Sequence, residues 1–274
     1  MPFGYVSPEQ QMRDKADYAR KGIARGRSVV VLQYKDGILF VAPNPSRALH
    51  KISEIYDKIG FAAVGRYNEF EALRLGGIRY ADINGYTYAR DDVTARGLAN
   101  LYAQNLGQIF TESLKPFEVE IVVAEVGDSS DEDHIYRLTF DGSVFDEAGL
   151  VAMGGQAEAV AGRLKERYRD GLSLTEALEA ALFALTEPGG ERFPAGQLEV
   201  AVLDRNRPHR KFLRLSGPRL ERLLADGASA AESAAESAAQ ATQTAQTESP
   251  LSAPETPGAP PTAPDGDIDT GASG

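Results

Sequence analysis

The run Ser28-Val29-Val30-Val31-Leu32-Gln33-Tyr34 constrains this chain more than any other stretch. It is β-branched and almost continuously apolar, so it reads as a strand covered on both faces, not one that alternates between core and water. Lys35-Asp36-Gly37 is a tight-turn signal, and Ile38-Leu39-Phe40-Val41-Ala42 returns as an equally apolar partner before Pro43-Asn44-Pro45 ends it. A hairpin of this kind has no solvent face. It needs an apolar layer on each side.

The remaining patterns supply those layers. A second β pair is expected at about residues 51–56 and 61–64. Asn68-Glu69-Phe70-Glu71 then reads as a capping box for a helix carrying Phe70, Leu73 and Ile78, with Gly76-Gly77 near its end. A longer helix from Asp91 or Asp92 carries Leu98, Leu101, Tyr102, Ile109 and Phe110 and stops before Pro116. The second β block takes residues 118–126 and 134–140, the Asp141-Gly142 turn and a return from Ser143. After Gly154-Gly155 comes another helix pair, with Ala157, Val160, Ala161, Leu164 and Tyr168 on one stripe and Leu174, Leu178, Ala181, Leu182 and Leu185 on the other. Ser173-Leu174-Thr175-Glu176 boxes the start of the second. Strands at 198–203 and 211–215 and a short helix with Leu220, Leu223 and Leu224 finish the folded part. The order ββββ-αα-ββββ-αα-ββ predicts an α+β fold of two stacked antiparallel sheets with a helix pair on each outer side, a four-layer αββα sandwich.

Ahead of the first strand, Ser7 to Arg27 reads as an added amphipathic helix over about residues 7–24. Ser7 is the N-cap, Pro8 the first helical residue, and Gln10 closes the box. Met12, Ala16, Ala19 and Ile23 form its apolar stripe, Arg13, Asp14, Lys15, Asp17, Arg20 and Lys21 take the solvent positions, and Gly26 is placed to end it. Met1-Pro2-Phe3-Gly4-Tyr5-Val6 precedes the helix as an apolar arm without a charged side chain. From Ala228 the composition turns to Ala, Ser, Thr, Gln, Glu and Pro with no aromatic residue, which predicts a disordered acidic tail over 228–274.

Composition excludes several chemistries. With no cysteine, disulfide scaffolds, thiolate zinc sites and cysteine nucleophiles are ruled out. The net charge of −11 divides into −7 beyond Ala228 and −4 before it, and Lys and Arg are interspersed with acids, so no nucleic-acid face is expected. No apolar run approaches a bilayer span and the start lacks a signal-peptide layout, which predicts a cytoplasmic protein with no membrane partner. His50, His134 and His209 are far apart with no second ligand at metal spacing, and no phosphate loop or nucleophile elbow occurs. No metal or cofactor is expected. Lys51, flanked by Leu49 and Ile52, reads on its own as an exposed or ion-paired lysine.

Several stretches together resemble the α subunits of the proteasome core particle in their actinobacterial form: Tyr5-Val6-Ser7-Pro8-Glu9-Gln10, Tyr18-Ala19-Arg20-Lys21-Gly22-Ile23-Ala24, Asn44-Pro45-Ser46 and Lys51-Ile52-Ser53-Glu54-Ile55-Tyr56-Asp57. Gly65-Arg66-Tyr67-Asn68-Glu69-Phe70, Met153-Gly154-Gly155 and Leu198-Glu199-Val200-Ala201-Val202-Leu203-Asp204 extend the likeness over about Tyr5 to Ala225. The resemblance implies the N-terminal-nucleophile hydrolase sandwich. In proteasome β subunits a threonine freed at the start of the first strand is the nucleophile, its own amine serving as base. Here Arg27 takes that place behind a retained helix, so the resemblance implies a subunit that is not itself an enzyme within a threonine-type endopeptidase complex.

Three roles follow from the resemblance. A homo-heptameric ring of these chains has its pore gated by Met1, Pro2, Phe3, Gly4, Tyr5, Val6, Ser7 and Pro8, admitting unfolded protein substrates. Pockets between neighbours receive the C-terminal tails of a ring-shaped ATPase activator, with Lys51 pairing the terminal carboxylate and Gly26 and Met12 lining the pocket. The opposite face docks on, and templates, the β ring. Two competing readings are an active hydrolase using Ser28, whose amine has to be freed first, and a non-proteasomal scaffold of the same fold.

Overall fold

The computed structural model describes residues 7–46 and 48–229. The 1–6 arm and the tail from residue 230 lie outside the described residues. The chain runs α1 (Pro8–Ile23), β1 (Val29–Tyr34), β2 (Gly37–Pro43), β3 (Ile52–Tyr56), β4 (Ile59–Gly65), α2 (Tyr67–Thr87) and α3 (Ala95–Glu112). It continues with β5 (Val119–Glu125), β6 (His134–Leu138), β7 (Val144–Asp146), β8 (Leu150–Met153), α4 (Ala157–Arg167), α5 (Leu174–Leu185), β9 (Leu198–Asp204) and β10 (Phe212–Leu215). A last helix, α6, covers 217–229 and buries Leu220.

Two five-stranded sheets result, ordered β10-β9-β2-β1-β8 and β3-β4-β5-β6-β7, and every pairing in them is antiparallel. β2 is buried at every position and β1 at all but Gln33, as the unbroken apolar runs required. Strand alternation then sorts the side chains into layers. Val29, Val31, Ile38 and Phe40 meet Ala62, Val64, Val122 and Ala124 between the sheets. Val30, Leu32, Leu39 and Val41 face Val160, Leu164, Leu178 and Ala181 of α4 and α5. On the second sheet, Phe61, Ala63, Ile121 and Val123 face Phe70, Leu73, Leu98 and Tyr102 of α2 and α3. Each such aliphatic side chain contributes about 1.5–3 kcal/mol on burial, so packing on the sheets outweighs the few tenths per residue that helix propensity offers. The four-layer αββα sandwich is the observed architecture.

Helix boundaries depart from expectation where tertiary partners intervene. The Asn68 capping box does not form: α2 starts at Tyr67 after Arg66, which makes no side-chain cap. Glu71, the reciprocal acid of that box, accepts from Arg74 one turn on at 2.8 and 2.5 Å, and Glu69 accepts from Lys115 Nζ and from the Glu118 amide, both at 2.6 Å. α2 also runs straight through Gly76-Gly77. A Cβ on Gly77 would lie 1.8 Å from Tyr102 Oη, so the glycine permits close contact between α2 and α3 and does not terminate the helix. Asp91 and Asp92 fall in a 3₁₀ turn, and Thr94 is the true N-cap of α3, accepting from Gly97 N at 3.2 Å. Leu106 completes the buried stripe in place of Leu101, Ile109 and Phe110, which are only partly covered. The Ser173–Glu176 box closes in both directions as expected.

α1 lies across the end of the sandwich. Ala19 and Ile23 are buried in the cluster between the sheets and Ala16 packs against it, while Met12 is exposed. Only half of the Ser7 box forms: Gln10 N donates to Ser7 Oγ at 3.2 Å, but the Gln10 side chain donates forward to Asp14 at 2.8 Å and does not accept from the Ser7 amide. Lys15 is not a solvent residue: its Nζ donates to the carbonyls of Phe110 and Ser113 at 3.0 and 2.8 Å, satisfying orphan groups at the end of α3. Gly22 lets α1 approach the second sheet, since a Cβ there would sit 2.7 Å from the Glu118 side chain. The helix ends at Ile23 with Ala24 as its C-cap, so Gly26 lies beyond the terminus and does not set it.

Candidate functional site

The stretch leaving α1 meets three others at one end of the sandwich. Gly26 N donates to Ile23 O at 2.9 Å, and Gly26 O accepts from Gly155 N at 3.3 Å, which ties the start of the first strand to the turn before α4. Gly26, Arg27 and Ser28 border a cavity of about 660 Å³ whose other walls include Pro43, Glu187 and Phe193. Beside it, Lys51 Nζ donates to the Arg27 carbonyl at 2.9 Å. Burial pulls the Lys51 amine down to about 8 from its ordinary value; Glu199 pulls it back up and Arg27 pushes it further down. At neutral pH the amine is still cationic, with its charge only partly balanced.

A buried carboxylate lies behind the lysine. Glu199 on β9 accepts from the Lys51 amide at 2.9 Å and from Asn44 Nδ2 at 2.7 Å through one oxygen. Its other oxygen accepts from Arg214 at 2.6 Å and from the Ile52 amide at 3.2 Å, with His50 Nδ1 also at 3.2 Å. Burial alone would raise this carboxyl, yet the Lys51 amide, the Asn44 side chain and the Arg214 guanidinium together hold it below the ordinary range. The turn from Asn44 to Ile52 is therefore tied to β9 as well as to its own hairpin.

Of the candidate residues, the structure brings Gly26 and Lys51 together through Arg27. Met12 lies elsewhere: eleven residues of helix separate it from Ile23, roughly 16 Å at the α-helical rise. Ser7 and Pro8 are exposed at the start of α1, and Met1–Val6 lie outside the described residues. Ser28 is nearly buried and mid-chain, and among the described residues its hydroxyl makes no hydrogen bond, whereas the nearby lysine is engaged with the carbonyl before it. His134 stacks on Tyr136 and His209 sits in a left-handed turn, so the three histidines stay apart. Among the described residues no helix is long and apolar enough to cross a membrane. Sequence reasoning missed Glu199 as a site residue. Its one local signal was a lone acid inside the apolar run 198–203.

The family model for proteasome subunits matches residues 23–203. This chain belongs to the proteasome subunit family. The curated proteasome subunit alpha of Streptosporangium roseum is 85% identical over 274 residues, covering 100% of this chain and 99% of that protein. That of Thermomonospora curvata is 72% identical over 229 residues (83% of this chain, 99% of that protein), and that of Streptomyces coelicolor 65% over 236 (84% and 92%). These relatives place the proteasome subunit on the α branch. The family match opens at Ile23, the last residue of α1, so nearly all of α1 precedes the matched residues.

Proposed function

We propose that this α-type subunit is the non-catalytic ring component of a bacterial proteasome core particle, which gates substrate entry, docks an ATPase activator and templates the β ring in the cytoplasm. The observation that carries the reading is the entry to the first strand. A folded helix with Ala19 and Ile23 in the core runs without interruption into Arg27 and Ser28, and Lys51 holds the Arg27 carbonyl. A nucleophile of this fold needs a free amine at that place, and here the position is an internal amide. The partly desolvated Lys51 amine suits a C-terminal carboxylate, and the cavity beside Gly26 offers room for the residues preceding one. Because Met12 is about 16 Å from Ile23 along α1, a pocket shared between neighbours takes its methionine from the adjacent copy.

Co-expression with the β subunit and assay of the assembled particle test this. Lys51→Ala is expected to abolish activator-stimulated degradation while rings stay intact; full stimulation in that variant removes the docking role. Deleting residues 2–6 is expected to raise basal peptide hydrolysis, and an unchanged rate means the arm is not the gate. The hydrolase alternative predicts a purified chain that begins at Ser28, and an intact mass that includes α1 rejects it.

A further inference from the structure

We propose that Glu199 is a positioning residue, which fixes the Lys51 amine for a carboxylate partner by clamping the turn that carries it. The inference rests on the docking reading and deepens it. Lys51 follows a turn broken by Pro45, a segment with little regular pairing of its own: Asn44 Oδ1 accepts from Ser46 N at 3.0 Å and Ser46 Oγ from Leu49 N at 3.0 Å. Two backbone bonds tie the ends of the turn to the sheets, Asn44 N to Gln197 O at 2.7 Å and Ala63 N to Lys51 O at 3.0 Å. The side chain that fastens it between them is Glu199, which gathers Asn44, His50, Lys51 and Ile52 onto one carboxylate. Asn44 also donates to Leu49 O at 2.8 Å, closing the turn across its waist. Arg214 extends the clamp by donating to both Glu199 Oε1 and the Ile52 carbonyl, at 2.6 and 2.7 Å. Lys51 is thereby held by its own backbone to β9 and by its amine to Arg27.

An ionised carboxylate satisfies this arrangement best, because one oxygen faces Asn44 Nδ2 and the Lys51 amide and the other Arg214 and the Ile52 amide, all of them donors. In Glu199→Gln the new NH₂ group points either at Asn44 and the Lys51 amide or at Arg214, His50 and the Ile52 amide, so one side of the clamp opens. The charged groups around the amine are Glu199 and Arg27, with His50 and Arg214 bonded to the same carboxylate.

The test uses particles assembled with the β subunit. Lys51 acetylation by limiting acetic anhydride is followed across pH by peptide mass spectrometry, alongside stimulation by the cognate ATPase ring. Glu199→Gln is expected to move the labelling midpoint of Lys51 to lower pH and to weaken activator affinity by about tenfold or more, the scale of one lost charge-assisted contact. An unmoved midpoint with affinity within about twofold overturns the inference. If Glu199→Gln does not assemble, Asn44→Ala removes one donor and no charge: weaker activator affinity with the saturated rate preserved supports the clamp, and unchanged affinity overturns it. Lys51→Ala run in parallel separates the two claims. Stimulation that survives it removes the docking reading, whereas stimulation lost in Lys51→Ala but kept in Glu199→Gln removes only the positioning role.

Discussion

Glu199 and Glu120 are both nearly buried acids on interior strands, one in each sheet, yet the protein treats their protons in opposite ways. Burial raises both. At Glu199 the Lys51 amide, Asn44 and Arg214 more than offset that rise and leave the carboxyl below its ordinary value. Glu120 has Arg137 at 3.0 Å and a long 3.4 Å contact from Gly154 N, with Glu147 repelling it, and it ends above its ordinary value. Solvent exposure is low at both, 6% and 9%; the donor sets differ. The comparison teaches that burial sets the baseline for an acid and that its donors decide the sign.

Removing the side chains should separate the two sites most. Glu199→Ala leaves Arg214 and two backbone amides without their partner and is expected to cost about 3–5 kcal/mol in urea unfolding, as for a broken buried ion pair. A loss below about 1 kcal/mol makes the donor set irrelevant. The pH dependence comes next. Glu199, lower in the folded state, contributes stability above its unfolded value that is lost as pH falls through the folded value. Glu120, raised, contributes stability below its unfolded value that is lost as pH rises through the folded one. Unfolding scans from acid to neutral pH should therefore lose part of their acid-side decline in Glu199→Gln, whereas Glu120→Gln should steepen the rise toward neutral; shifts of the same sign break the contrast. The smallest effect is the neutral-pH stability of Glu120→Gln itself. It should be equal to or above that of the parent by less than about 1 kcal/mol, because Arg137 keeps Glu147 at 2.6 Å.

How far the sequence was readable depends on the distance between partners. The sheets, their layering and the Ser173 box follow from patterns within a few residues, and the structure reproduces them. The Asn68 box was a local pattern too, but α2 starts one residue before Asn68, and Glu69 in its first turn is held by Lys115 and the Glu118 amide, 46 and 49 residues away. Lys15 looked solvated because its acceptors on α3 are 95 and 98 residues distant. At the candidate site, Lys51 and Gly26 were legible through resemblance alone. Glu199 was hidden because Lys51 and Asn44 stand 148 and 155 residues from it.

The sequence alone determined that this chain builds a doubly covered hairpin inside two sheets and two helical layers, since apolar period and turn chemistry are local properties. It also determined that a helix N-capped by Ser7 precedes the first strand. Only the tertiary structure decided which glycines mark close packing, which lysine caps a distant helix, and which buried acid is held below its ordinary pKa. Those outcomes depend on donors and atoms that folding brings within hydrogen-bond distance from remote parts of the chain, where electrostatics and sterics act over a few ångströms of space and not along the sequence.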